Sequence, residues 1–343
     1  MSFRRHWVPR QAAGCLILGV MVVDGPRHPT VLEAKPRVAD TGYRVVHGWP
    51  VLPESEMLGI TSAVAVDSHN HVFVLDRRER VWPNSDTLDT APIDSATVRV
   101  FDGPTGVRLA EWGAGTFAMP HGITIDASDH VWLTDVALHQ VYKYSHDGKL
   151  LLTVGVRGVP GEDTVHFNRP SGVVAAPDGS FFVSDGYGNN RVMAFAPDGR
   201  FLFQWGTKGS GPGQFDLPHG IARDPAGRLY VSDRSNGRVQ IFDAGGRYLK
   251  EWKSPALASP NNVAFAPDGN ALVVDDGGKV LIPDRSGIAV LGPDGSFIGR
   301  FGRFGNYDGQ FVAVHSVAVG PDGAVYVADA DGKRVQKFVR VQH

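Results

Sequence analysis

The chain has 343 residues, 42% of them hydrophobic and 20% charged, with a formal net charge of −2. These figures describe a soluble globular protein of one large or two ordinary domains, and with no basic run past the N-terminus they leave no electrostatic footprint for nucleic acid. The only cysteine, Cys15, excludes an intramolecular disulfide.

In chain order, residues 1–40 come first. Arg4, Arg5 and Arg10 precede an apolar stretch, 12–23, that is too short to span a bilayer comfortably. With Ala34 as a small residue at a cleavage position, the segment reads as an export signal. The expected location is therefore secreted or periplasmic, and an uncleaved membrane anchor is the competing reading. Cys15 precedes most of the apolar run, which argues against a lipoprotein anchor.

Residues 41–343 read as one all-β domain. Six units begin ITSAVAVDSHNHVFVLD, MPHGITIDASDHVWLTD, RPSGVVAAPDGSFFVSD, LPHGIARDPAGRLYVSD, SPNNVAFAPDGNALVVD and VAVHSVAVGPDGAVYVAD. Each has an apolar alternating run, a D-G-type turn, a second apolar run and an aspartate. Most continue with a third and a fourth short strand, such as RVMAFAPDG and RFLFQWG. Four short antiparallel strands per unit, repeated around the chain, predict a six-bladed β-propeller. The 42 glycines and 23 prolines supply its turns.

The unit-ending aspartates are Asp76, Asp135, Asp185, Asp233, Asp275 and Asp329. Their regular placement predicts a structural role, accepting hydrogen bonds from turn amides. The last unit stops at Phe338 after three strands, whereas residues 43–49 (YRVVHGW) are a spare strand. Pairing this strand with the blade containing residues 325–329 would close the ring and remove its exposed edges. Two loops, PNSDTLDTAPIDSA in the first unit and VRGVPGEDTVHF before the third, exceed what the repeat needs and are expected to frame a site.

One repeat column holds Ser62, His121, Ser171, His219, Asn261 and His315. Histidine occupies alternate blades at nearly equal spacing, so a closed ring brings three imidazoles together a third of a turn apart. Three neutral imidazoles with room for a further ligand make a catalytic zinc arrangement, favoured on ligand type over iron, copper or nickel. A lone histidine at a strand start is more often a turn or core residue, and the chain has 13 histidines. Sharing one column in strict alternation is what separates these three; His139 and His166 lie outside it. Just after the unit-ending aspartates stand Arg77, Arg234 and Tyr187. Singly they read as surface ion-pair partners and a packed aromatic. Around a three-histidine metal they offer cations for a substrate carboxylate and a phenol for proton transfer.

These residues resemble the peptidyl-α-hydroxyglycine α-amidating lyase family, built on NHL-type repeats. The specific stretches are PHGITIDASDHVWLTDVALHQVYK, FFVSDGYGNNRV and GQFDLPHGIA. The resemblance implies a six-bladed propeller that cleaves the N–C bond of a C-terminal α-hydroxyglycine, giving a peptide amide and glyoxylate. It implies zinc on His121, His219 and His315, a proton-transfer role for Tyr187, and substrate or electrostatic roles for Arg77 and Arg234; a zinc dication and the two arginine cations would favour Tyr187 as a phenolate able to act as the base. It also implies a channel calcium bound partly by the backbone carbonyls of Val64 and Ile123, although Ser316 stands where a carboxylate is expected. The family's disulfide positions correspond to Asn168 with Gly188 and Tyr230 with Ile241, none of them cysteine. The expected partner is a small-molecule or peptide substrate with a C-terminal α-hydroxyglycine, met by a monomer. The rival readings are a metal-dependent propeller acting on a lactone or N-acyl α-hydroxy acid, and a non-enzymatic propeller that binds peptide or protein.

Overall fold

A computed structural model describes residues 40–83, 87–277 and 286–341. The export-signal reading of residues 1–40 lies almost wholly outside them. Among the described residues no helix is long and apolar enough to cross a membrane.

Among the described residues, twenty-four strands form six four-stranded antiparallel sheets, the blades of a propeller. The innermost strands are Thr61–Val66, Pro120–Ile125, Gly172–Ala175, Pro218–Arg223, Pro260–Phe265 and Val314–Val319. Each contacts the innermost strand of the next blade, and the sixth contacts the first. Together they surround a central channel of about 490 Å³. The second strands, such as Val131–Asp135 and Phe181–Asp185, are buried along their whole length. They are sandwiched between neighbouring blades, so their sequences run almost wholly apolar up to a closing aspartate, which a Ser or Thr precedes in blades two, three and four. Phe201–Trp205, an outermost strand, alternates partly buried with exposed residues because only one of its faces meets protein.

Ring closure follows the expected pairing. Tyr43–Val46 lies antiparallel to Arg334–Arg340, with Tyr43 opposite Arg340 and Val46 opposite Lys337, and completes the sixth blade. Trp49 then fits a pattern shared with Trp112, Trp205 and Trp252. Each indole lies against a turn glycine of the following blade: Trp49 on Gly106, Trp112 on Gly148, Trp205 on Gly246 and Trp252 on Gly295. All four glycines have positive φ, and a Cβ at any of them would come within about 3 Å of the indole. Trp49 Nε1 also donates to the Gly103 carbonyl at 3.0 Å.

The unit-ending aspartates are buried anchors. Asp135, for example, accepts from the amides of Ala118, Met119, Ala137 and Leu138 at 2.8–3.1 Å. In five blades the carboxylate also meets an arginine, as in Asp185 with Arg191 at 3.0 Å and Asp233 with Arg238 at 2.7 Å. Asp135 is the exception: Gln140 stands opposite it in the strand pair, and burial pushes its carboxyl above the usual range. The positions of the absent disulfides are neighbours nonetheless. The Gly188 amide donates to the Asn168 carbonyl at 2.9 Å, and Tyr230 pairs with Ile241 across two strands.

Candidate metal centre

The six-residue column becomes a hydrogen-bonded belt around one end of the channel. His121 Nδ1 lies 2.7 Å from the Ser171 carbonyl, His219 Nδ1 2.8 Å from that of Asn261, and His315 Nδ1 2.5 Å from that of Ser62. A carbonyl only accepts, so each Nδ1 carries the proton and each Nε2 keeps its lone pair. The column's other three side chains complete the belt by donating to the residue before each histidine. Ser62 Oγ reaches Pro120 O at 3.0 Å, Ser171 Oγ reaches Pro218 O at 2.9 Å, and Asn261 Nδ2 reaches Val314 O at 3.4 Å.

The three rings meet nearly edge to face, with centroids 4.8–5.0 Å apart, and present ligand atoms within 4.8 Å of one another. Burial holds His121 and His219 well below the usual histidine value, reinforced by neighbouring imidazoles and the nearby arginines. Burial and then Arg77 lower His315 to about 3. The imidazoles are therefore neutral, and three lone pairs converge in a site from which water is largely excluded. Tyr187 Oη sits 3.1 Å from His121 Nε2 and 2.9 Å from His219 Nε2. Its single proton can serve only one of these acceptors. A donor set this rich in lone pairs and poor in protons fits a divalent cation, and the second ring nitrogens are already oriented by backbone.

The phenolate expected at Tyr187 rests on a zinc dication as well as the two arginines, and the protein groups alone do not produce it. Burial raises its pKa above 10, outweighing the opposing pull of Arg234 and Arg77. The phenol is therefore the stable form while only protein groups surround it. Its ring is packed at 4.6 Å against Trp82, from the long loop of the first blade, which also lies 6.4 Å from His121. The two arginines are not equivalent. Arg234 donates from Nη2 to Asp276 at 2.7 Å; burial works against its charge, but Tyr187 and Asp276 hold its pKa above the ordinary value. Arg77 is 5% exposed, has no carboxylate within ion-pair distance among the described residues, and touches Met119 Sδ at 3.2 Å through Nη1. Its Nε is buried without a partner, and burial lowers its pKa despite attraction from Tyr187, Asp331 and Asp135. A second cavity of about 520 Å³ runs from Arg77 along Val81, Pro83, Thr87 and Ile93.

Val64 and Ile123 line the channel beyond the histidines. Ser316 Oγ accepts the Val64 amide at 3.4 Å. The acidic residues lining the channel, Asp126 and Asp224, sit past the far ends of their strands and are bonded to Trp132 and Arg228. These residues do not fit a calcium ion, which takes six to eight oxygen ligands with carboxylates among them. His139 and His166 stand outside the centre, bonded to the Arg169 amide and to Asp163.

Trp82, Met119 and Asp276 are site residues that sequence reasoning missed. Asp276 was within reach, because it occupies the same repeat position as Arg77 and Arg234 in the fifth blade. Trp82 lies outside the aligned units, and Met119, which opens the second unit, carries no residue type that marks it for a site.

Residues 167–195, 215–242 and 311–338 match the NHL repeat family. Peptidyl-glycine alpha-amidating monooxygenase B of Xenopus laevis is 36% identical over 302 residues, covering 82% of this chain and 34% of that protein. The chain thus spans about a third of that relative's length. Peptidyl-alpha-hydroxyglycine alpha-amidating lyase 2 of Drosophila melanogaster is 32% identical over 320 residues, 86% of this chain and 75% of the fly protein. NHL repeat-containing protein 3 of Homo sapiens is 34% identical over 312 residues, 87% of this chain and 84% of the human protein. Among solved structures, a streptogramin B lyase aligns with a TM-score of 0.57 and 14% identity over 83% of this chain and 95% of that one, a likeness of fold alone.

Proposed function

Because the chain belongs to the peptidyl-α-hydroxyglycine α-amidating lyase family, we propose that it cleaves a C-terminal α-hydroxyglycine into a peptide amide and glyoxylate, using zinc. The observation that carries this reading is the pairing of three convergent, neutral Nε2 atoms with a buried arginine that has no acidic partner at ion-pair distance among the described residues. One invites a dication and the other a carboxylate, and an α-hydroxyglycine presents a hydroxyl and a carboxylate on adjacent carbons.

In this reading Arg77 takes the substrate carboxylate, replacing the hydrogen bonds its Nε lacks. The rest of the peptide lies in the cavity beside the blade-one loop. A zinc ion held by His121, His219 and His315 would act as a Lewis acid on the carbinol hydroxyl, making its proton easier to remove. Tyr187 Oη, between two of these histidines, takes that proton from its phenolate form. The O–H electron pair becomes the C=O of glyoxylate as the C–N bond breaks, and the departing amide nitrogen takes the proton back from Tyr187. Arg234, itself held by Asp276, favours the phenolate against the burial that opposes it.

The test is glyoxylate release from α-hydroxyhippurate by protein stripped with a chelator and then reloaded. Activity should vanish on stripping and return with zinc. Zinc-loaded protein that releases no glyoxylate, or that hydrolyses a lactone instead, would refute the lyase reading.

A further inference from the structure

A second group of metal-ligating side chains lies at the other end of the first blade's innermost strand. Ser62, next to that strand's first residue, belongs to the histidine belt, and Asp67 follows its last residue. Asp67 occupies the repeat position of Asp126 in blade two and Asp224 in blade four. All three use Oδ1 in the same way, accepting turn amides: His69 and His71 for Asp67, Ser128 and His130 for Asp126, and Arg228 for Asp224.

They differ at Oδ2. Asp224 meets the Arg228 guanidinium at 2.7 Å, and Asp126 has His130 Nδ1 at 3.1 Å, the Trp132 indole at 2.9 Å and Lys143 at 3.8 Å. Both carry a permanent cation. Asp67, whose side chain is fully buried, meets His71 Nδ1 at 3.0 Å and His146 Nε2 at 2.7 Å. Among the described residues these two imidazoles are its only ion-pair partners. His71 comes from the second strand of blade one and His146 from a turn of blade two. His69 stacks on His71 at 5.8 Å and lies 6.3 Å from His146, while Phe73 walls the inner side of His146 at 5.3 Å.

We propose that Asp67, His71 and His146 form a second divalent-metal site, a clip joining blade one to blade two at the channel end away from the histidine belt. The three ligand atoms lie within 4.8 Å of one another. Metal–ligand bonds of about 2.0–2.2 Å require only small outward shifts of the two exposed-side imidazoles. Binding replaces the imidazole N–H donors with a cation facing two lone pairs and one carboxylate oxygen. Two imidazoles and one carboxylate select zinc, nickel or copper over magnesium or calcium. The buried carboxylate then has the cation that its counterparts in blades two and four obtain from side chains. Because His69 is exposed beside them, it can approach as a further ligand or leave that position to water.

The experiment compares the full chain with His146→Gln, each in the parental and the His219→Ala background, by isothermal titration of chelator-stripped protein with zinc. Glutamine keeps a donor for Asp67 and removes the ligand nitrogen. Circular dichroism checks the fold, and His71→Asn serves if His146→Gln does not fold. The expected result is one equivalent of zinc lost with His146→Gln in both backgrounds, together with loss of the zinc-dependent rise in Tm that His219→Ala protein retains. Glyoxylate turnover by His146→Gln should match the parent. Unchanged zinc stoichiometry in both backgrounds would overturn the proposal and leave the imidazoles as hydrogen-bond partners of Asp67. Because the difference is read in each background, a failure of the three-histidine centre to bind metal gives a separate outcome.

Discussion

Arg77 should oppose stability while serving function, and Arg77→Met tests both. A guanidinium that is 5% exposed, with no carboxylate at ion-pair distance among the described residues, is a poorly compensated buried charge. Such a charge costs a few kcal/mol, so a methionine of similar length should return about 1–3 kcal/mol to the substrate-free protein. Unfolding entropy near 2.1 cal/mol/K per residue amounts to about 0.6 kcal/mol/K for roughly 300 ordered residues, so Tm should rise by about 2–5 °C. The same change removes the proposed partner of the substrate carboxylate. Truncating one member of a buried charge pair costs about 2–5 kcal/mol, or roughly 30-fold to several thousand-fold in kcat/KM. Arg234→Met should move stability the other way, because it breaks the 2.7 Å pair with Asp276. That pair is partly exposed and contributes about 1 kcal/mol at most. Melting curves at one scan rate, with glyoxylate release measured on the same samples, decide the matter. A fall in Tm for Arg77→Met, or a kcat/KM within threefold of the parent, would refute the reasoning.

Tyr187→Phe should keep its fold and bound metal while losing about 10²- to 10⁴-fold in turnover; parental turnover with metal bound would make Tyr187 a packing residue only. His139, which is buried and lowered to about 4 by burial and then Arg169, accepts the Arg169 amide at 3.0 Å only while neutral. Its folded pKa lies below its unfolded value near 6.5, so it contributes stability above pH 6.5 that is lost as pH falls towards 4, about 3 kcal/mol in all. His139→Asn, which tolerates the positive φ at that position, should flatten the denaturant-measured stability profile over this window with activity unchanged. Trp49→Ala removes an indole packed on Tyr326 at 4.8 Å and on Gly106. It should cost about 3–5 kcal/mol, lowering Tm by roughly 5–8 °C; a melt like the parent's would show that the sixth blade closes without it.

The parts of the molecule legible in the sequence are those the repeat writes at fixed intervals. The second strands, the aspartate anchors and the histidine column recur at constant offsets, and one alignment assigns them all. The strand 43–49 was legible because the sixth unit lacked an outer strand. The identity of the acceptors for His121, His219 and His315 was not, because a backbone carbonyl leaves no mark on residue type. Trp82 reaches the site from a loop outside the aligned units, where spacing carries no information about place, whereas Met119, two residues before His121, has an aligned position but a residue type that signals only packing. Tyr187 follows Asp185 closely enough in the repeat to be read beside the histidines, but the balance between burial and the arginine cations at its hydroxyl depends on how completely the pocket encloses it. The same limit hid the clip: His71 and His146 lie in different units, at non-equivalent positions, and only the meeting of two blades puts both on Asp67.

The belt also joins the two ends of the ring, since His315 Nδ1 bonds the carbonyl of Ser62. His315 and the strand that pairs with Tyr43–Val46 are the last parts of the domain to be synthesised. At about 5–20 residues per second, the first blade waits on the order of tens of seconds for them. Until then the candidate centre lacks its third histidine, an innermost strand lacks its neighbour and the channel is open along one side. A ribosome-bound or prematurely ended chain can hold several well-formed blades and still have no reaction centre. Catalytic competence is thus acquired at a single late event, and activity in a sample counts finished rings and nothing less.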